Sequence, residues 1–242
     1  MSSKEINGKV QKIWGEEQKN FIMNMNSIIN ASLKKSQLKK FANFPKFIAG
    51  ASARLAWKKP IVNETCTVAK YNALTDNKFI KIGDIVLDTA EKRQTTIKVN
   101  PINPTAWKEK KAEHIYIIVR NGTVMKIGGT RTGMKNRFGS YLCGHCVPER
   151  IMKRTGKGFP GKMSVTNAYL YHTIEDDLLN GGNWEFWSWK LPTVTVSVDI
   201  LGVPALVIAQ TYHAYESRCI ELFRQLTTRI PQLCNNADPN YR

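Results

Sequence analysis

Residues 114–141 read HIYIIVRNGTVMKIGGTRTGMKNRFGSY, and this stretch decides the fold. Ile115-Tyr116-Ile117-Ile118-Val119 is an apolar run with one tyrosine in it. Asn121-Gly122 follows, a dipeptide suited to a two-residue hairpin turn with positive φ at both central positions. A second short run, Val124-Met125-Lys126-Ile127-Gly128, comes next. Side chains alternate faces along a strand, so the simplest hairpin register brings Tyr116 and Lys126 near the same end of adjacent strands. His114 points to the face that Tyr116 occupies. The glycine-rich GGTRTG segment then opens a helix that carries Arg137.

Outward from this hairpin the pattern predicts an α+β chain. A small antiparallel or mixed β-sheet is flanked by helices and preceded by a mainly helical, basic N-terminal region. Residues 8–60 read as helical, with Lys35, Lys39, Lys40 and Lys46 interleaved among Phe21, Phe41, Phe44 and Phe47. That spacing suits aromatics on a core face and lysines free to meet phosphate. It equally suits a DNA-contacting helix pair whose aromatics wedge or stack. Lys58-Lys59-Pro60 breaks the helical pattern. Residues 78–89 (KFIKIGDIVLDT) and 95–99 predict a β-hairpin. Pro101, Pro104 and the charged run 108–111 read as a connection. The expected division is therefore 1–105, for DNA contacts and dimerisation, and 106–242 for a catalytic domain. Further on, 165–173 alternates like a strand, and Trp184, Trp187 and Trp189 suggest core or interface packing. Residues 193–201 (TVTVSVDIL) predict a strand, and 205–229 a helical pattern.

Composition narrows the partners. The 242 residues include 36 Lys+Arg against 19 Asp+Glu, a formal net charge of +17. Such an excess suits a polyanion, chiefly nucleic acid. The basic stretch 150–162 reads as a loop that tracks a DNA backbone. Its Arg154, Lys157 and Lys162, with Arg131 and Lys135 beside Arg137, are the candidate DNA contacts. The first twenty residues are polar, and the apolar run 200–209 is short and broken by Gly202 and Pro204. A cytoplasmic protein with no membrane partner is the expectation. Five widely spaced cysteines argue against a disulfide scaffold. Cys143-Gly144-His145-Cys146 matches a disulfide-isomerase tetrapeptide, but the strand and helix that such a motif joins are missing around it. As half of a zinc site it lacks a second ligand pair, so a loop with two reduced thiols is the expected state. His145, His172 and His213 have no partner pattern.

His114-Ile115-Tyr116, Lys126-Ile127-Gly128 and Arg137, eleven residues after Lys126, resemble the two motifs and the arginine of the GIY-YIG nuclease family. His114 stands for the first glycine and Lys126 for the second tyrosine. The lysine form and the Arg-x-x-Ser-Tyr run ending at Tyr141 look like type II restriction endonucleases of that family. The resemblance spans residues 112–236. It implies a site-specific, Mg²⁺- or Mn²⁺-dependent endonuclease with one metal ion per active site. Its partners would be double-stranded DNA and a second copy of the chain, since two-fold proteins match palindromic sites.

The resemblance also implies roles. Tyr116 is the candidate general base. A tyrosine pKa of about 10 is too high for that, and a cation at Lys126 would lower it. Arg137 suits bidentate hydrogen bonding to the scissile phosphate. Tyr141, one helical turn on, contacts the attacking water or the phosphate. Glu216 on the last helix is the expected metal ligand, in Glu216-Ser217-Arg218-Cys219-Ile220, and Glu221 is the competing choice. A single carboxylate completed by water and a phosphate oxygen suits octahedral Mg²⁺. Residues 231–235 (PQLCN) resemble the family's later Pro/Asn segment. Two other enzyme readings compete. One is a homing or phage-type endonuclease, disfavoured by the absence of a long linker. The other is a redox protein using Cys143 and Cys146. A non-catalytic basic nucleic-acid-binding protein completes the alternatives.

Overall fold

In the computed structural model, which describes residues 44–62, 66–146 and 164–234, Asn121 and Gly122 take φ of 47° and 77°. The expected two-residue turn forms, and it joins strands His114–Arg120 and Thr123–Thr130. In chain order the strands are β1 (Ile80–Leu87), β2 (Ile97–Pro101), β3 (His114–Arg120), β4 (Thr123–Thr130), β5 (Trp184–Lys190), β6 (Val194–Ile200) and β7 (Val203–Ala209). The first five make one sheet in the order β2-β1-β5-β3-β4, and every pairing in it is antiparallel. The fold is α+β. β6 and β7 form a separate two-stranded sheet.

The helices are α1 (Pro45–Ala49), α2 (Ala51–Trp57), α3 (Val68–Leu74), α4 (Pro104–Lys108), α5 (Met134–Leu142), α6 (Val165–Leu179) and α7 (Tyr212–Thr227). The alternation of β3 distributes them over two faces. Tyr116 and Ile118 pack with Phe138 and Tyr141 of α5, Leu170 and Ile174 of α6, and Trp107 of α4. Ile115, Ile117 and Val119 pack with Tyr71 of α3 and Cys219 and Phe223 of α7. With strands on both sides and helices on both faces, β3 is buried along its length up to Arg120. The expected hairpin at 78–99 is present as β1 and β2. β1 pairs with β5, so the sheet continues across residue 105.

Two expectations are corrected. Residues 165–173 belong to helix α6, not to a strand. Ser164 caps it by accepting from the Asn167 N–H, and Ala168, Tyr171, Ile174 and Leu178 recur at helical spacing. Buried residues lie on more than one side of this helix, because its neighbours enclose it. Residues 205–209 are strand β7, and the helix starts only at Tyr212. Leu201 and Gly202, at φ 55° and 82°, turn the chain so that Val203–Ala209 pairs with β6. The tryptophan-rich segment is a strand whose Trp184 is wholly buried, as core packing requires.

Buried polar groups tie the helices to the sheet. The Glu175 carboxylate of α6 accepts from Arg54 Nη1 at 3.0 Å and from Thr96 Oγ1 at 2.6 Å, and meets His172 Nδ1 at 3.1 Å. Burial pushes this carboxyl up, but His172, Arg54 and Thr96 outweigh it and hold it below its ordinary range. Sequence left His172 without a partner because an i,i+3 contact on an unrecognised helix could not be counted. Asp177 accepts two bonds from Arg120, each at 2.8 Å, and one from Trp184 Nε1 at 2.8 Å. Lys46 is one of the N-terminal lysines, some of which the sequence leaves free to meet phosphate. Its ammonium instead donates to the carbonyls of Ala90, Arg93 and Thr95, and Phe47 is core. Lys35, Lys39, Lys40, Phe21 and Phe41 lie outside the described residues. Among the described residues no helix is long and apolar enough to cross a membrane.

Candidate active site

The site begins with the register of the hairpin. Tyr116 lies opposite Gly128, and Ile118 opposite Lys126. Tyr116 and Lys126 therefore share a face, which alternation alone does not give: an unbulged two-residue hairpin would set Lys126 opposite Ile117, on the other face. A bulge between Ile118 and Val119 is absorbed at Met125, beside Lys126. The glycine at 128 is a steric requirement: a Cβ there would collide with the ring and hydroxyl of Tyr116. The hydroxyl end of the phenol lies against the backbone of β4 at Gly128.

Arg137 projects from α5 over this surface. Gly133, at φ 86°, precedes the helix in a conformation that L side chains rarely adopt, and its α-carbon packs on the Glu109 carbonyl. Arg137 Nε donates to Tyr116 Oη at 2.8 Å. The guanidinium carbon stands 4.8 Å from the Tyr141 ring centroid and 5.7 Å from that of Tyr116. The two phenol hydroxyls also hydrogen-bond to each other. Nε is engaged by Tyr116 and the guanidinium also interacts with the Tyr141 hydroxyl, so the remaining terminal N–H donors are the ones able to meet a ligand. Lys126 is only 5% exposed. Its ammonium donates to the Leu233 carbonyl at 3.0 Å and lies 6.0 Å from the Tyr141 ring centroid.

Electrostatics set the protonation states. Burial, then the neighbouring Tyr141, pushes the Tyr116 hydroxyl well above its ordinary value, while Arg137 and Lys126 pull it down. Lys126 thus acts in the expected direction, but desolvation wins and Tyr116 is a neutral phenol in the resting protein. Burial likewise pushes Tyr141 up to about 12.

Glu216 approaches β4 from the opposite face. A Cβ on Gly129 would meet Tyr212 at 2.6 Å and Glu216 Oε2 at 2.9 Å. Successive glycines thus admit Tyr116 on one face of β4 and Glu216 on the other, and β4 is an edge strand. The segment 231–234 runs along that edge: Leu233 N–H donates to the Met125 carbonyl at 2.9 Å, and Cys234 Sγ lies 3.2 Å from both Ile127 N and O. Both Lys126 and Glu216 are close enough to influence the Cys234 thiol, which burial pushes up. Glu216 has neither an ion pair nor a hydrogen bond among the described residues. Glu221 is engaged: its carboxylate is 3.6 Å from Arg224 Nε and accepts from Gln225 Nε2 at 3.4 Å.

Tyr116, Lys126, Arg137 and Tyr141 thus converge, with Glu216 across the same strand. Arg131 and Lys135 are exposed beside the start of α5. Arg154, Lys157, Lys162 and Asn235 lie outside the described residues. The sequence reading missed the Leu233 carbonyl under Lys126 and the second glycine at 129; the paired Gly128-Gly129 was the available signal. Cys143–Cys146 forms a 3-10 turn continuing α5, and no disulfide forms among the five cysteines. Among the described residues no cluster of three or more His, Cys, Asp or Glu is placed to hold a metal. Glu216, a single hard oxygen donor without a partner there, is compatible with a largely hydrated Mg²⁺ and not with a closed protein cage.

No protein-family model matches the chain, and no curated protein matches it. Among solved structures, restriction endonuclease HPY188I in complex with product DNA is similar at 17% identity and a TM-score of 0.40, over 71% of this chain and 92% of that one. A mutant of bacteriophage T4 EndoII is similar at 22% identity and a TM-score of 0.40, over 63% of this chain and 93% of that one.

Two outcomes follow from this geometry. Gly128→Ala forces the buried Tyr116 ring off the strand and should cost about 1–3 kcal/mol in a urea melt; an unchanged midpoint would mean that the ring yields freely. The second concerns alkaline pH. The unfolded chain loses the Tyr141 proton near 10.0, whereas the folded chain keeps it to about 12. Between those values the folded state binds more protons, so this contribution is intact below pH 10 and is lost as the pH rises toward 12. Wild-type stability should therefore fall more steeply than that of Tyr141→Phe across that window, and parallel curves would contradict the shift.

Proposed function

We propose that this protein is a site-specific, metal-dependent double-stranded DNA endonuclease of the GIY-YIG type, a type II restriction enzyme acting as a homodimer. The observation that carries the reading is the Arg137 guanidinium held on the hydroxyl of Tyr116, beside Tyr141 and the buried Lys126. A core has little use for a half-buried arginine and a buried lysine beside two phenols, with no carboxylate paired to either among the described residues. An incoming phosphodiester would supply the missing negative charge. The net charge of +17 favours the same partner.

In this reading Arg137 donates from its terminal nitrogens to the scissile phosphate, in the paired geometry that guanidinium favours. Its bond to Tyr116 fixes its orientation, so little freedom is lost on binding. Tyr116 first gives up its own proton to solvent, and the resulting phenolate oxygen takes the proton of the attacking water. Arg137 and Lys126 both favour the phenolate, and they oppose the desolvation that keeps it protonated at rest. Tyr141 hydrogen-bonds to the same oxygen and steadies it. Glu216 would hold Mg²⁺ or Mn²⁺, which supplies positive charge at the phosphoryl oxygens when bound. The exposed Arg131 and Lys135, with Arg154, Lys157 and Lys162, would contact the DNA backbone. Residues 1–105 would add DNA and dimer contacts to a catalytic part at 106–242.

The test is incubation of the purified chain with unmethylated phage DNA, with Mg²⁺ or with EDTA. Discrete Mg²⁺-dependent bands are expected, and intact DNA in both lanes would leave a binding protein instead. Glu216→Gln should abolish cleavage while retaining DNA binding; full activity would remove Glu216 as the metal ligand. Lys126→Ala takes away a cation that lowers the Tyr116 pKa, so the pH needed for cleavage should rise. An unmoved pH–rate profile would show that Lys126 does not tune Tyr116.

A further inference from the structure

Strands β6 and β7 pair with each other and with nothing else in the described structure, and none of their side chains enters either core cluster. Directly opposed residues point to one face. Val194 lies opposite Ala209, and the register then alternates down to Ile200 opposite Val203. One whole face of the ribbon is consequently Val, Ile or Ala. On it Val196, Ile200 and Val203 are 40%, 50% and 64% exposed. Leu206 and Ile208 on the reverse face are 78% and 72% exposed, and Leu201 at the tip is 98% exposed. A two-stranded ribbon is at best marginally stable alone in water, and an apolar patch of this kind marks an interaction surface.

Charge selects the occupant. Residues 191–210 contain no Lys, Arg or His and one acid, Asp199, in a chain of net charge +17. A DNA-contacting arm would need cations for phosphate, and here there are none. Two copies of so basic a chain repel wherever their lysines and arginines face each other. This ribbon is a surface on which they can meet without that cost. Its uniform aliphatic face is self-complementary under a two-fold axis, as an isologous contact requires. Two such faces stack at the roughly 10 Å spacing of packed sheets.

We propose that the β6–β7 hairpin is a self-association element, packing its Val194–Ala209 face against the same face of a second copy. The consequence for catalysis rests on the nuclease reading: two copies carry two sites, one for each DNA strand.

Sedimentation velocity of the full chain at micromolar concentration, in enough salt to screen its charge, tests this without DNA or metal. The wild type should be a dimer. Val196→Lys combined with Ile200→Lys should weaken association by about a hundredfold or more, because each copy would bury unpaired ammonium groups. Val196→Thr with Ile200→Thr and Val203→Thr keeps strand-forming residues and should also shift the chain toward monomer, with far-UV circular dichroism unchanged. A monomeric wild type overturns the proposal, whether residues 1–43, a lipid vesicle or another partner covers the face. A dimer unaffected by both variants overturns it as well. A dimer that both variants weaken and that never cuts DNA upholds this inference and sinks the nuclease reading, and a monomer that cuts with Mg²⁺ does the reverse.

Discussion

The close approach of the Tyr116 phenol to the bare backbone at Gly128 is the constraint on which the rest of the site depends. It fixes the phenol oxygen at a defined height above β4, within reach of α5. Arg137 can bond that oxygen only because the helix begins at Gly133, whose positive φ and contact with the Glu109 carbonyl set where α5 starts. Two glycines fifteen atoms of chain or so apart thus do what no side chain could: they bring backbone, ring and guanidinium into one layer.

The polar groups around that layer hold one another with no carboxylate paired to their cations among the described residues. Arg137 is satisfied by a phenol rather than a carboxylate, and Lys126 by a carbonyl. Elsewhere another buried cation is neutralised conventionally, since Arg54 meets Glu175. The contrast locates unfilled electrostatic demand at the edge of β4, where the low local dielectric makes it strongest.

How much of this was legible varied with the range of the interaction. The Asn121-Gly122 turn and the nearness of Tyr116 and Lys126 at one end of the hairpin are short-range consequences of turn chemistry, and sequence supplied them; their shared face depends on the bulge at Met125, which no local pattern announced. The helical setting of Arg137 and Tyr141 followed from the glycine-rich opening. Residues 165–173 misled because α6 is enclosed by its neighbours, which erases the polar stripe that normally betrays a helix. Residues 205–209 misled because a Leu-Gly turn at positive φ is a weaker signal than Asn-Gly. The support of Lys126 by Leu233 spans 107 positions, and no local pattern encodes such a contact. The balance that keeps Tyr116 protonated was hidden for a related reason: it depends on burial by α5 and α6, not on the charged neighbour that spacing reveals.

The position of residues 231–234 along β4 gives the site a sequence of assembly. Tyr116, Arg137 and Tyr141 lie within 26 residues of one another, and they meet through the β3–β4 hairpin and the helix after it. The carbonyl beneath Lys126 comes from Leu233, and Cys234 completes the edge beside it. During synthesis a growing chain therefore possesses its phenols and guanidinium long before its lysine is anchored. Until the turn at 231–234 docks, that ammonium lacks its Leu233 seat, and a nascent chain on the ribosome carries an unfinished site.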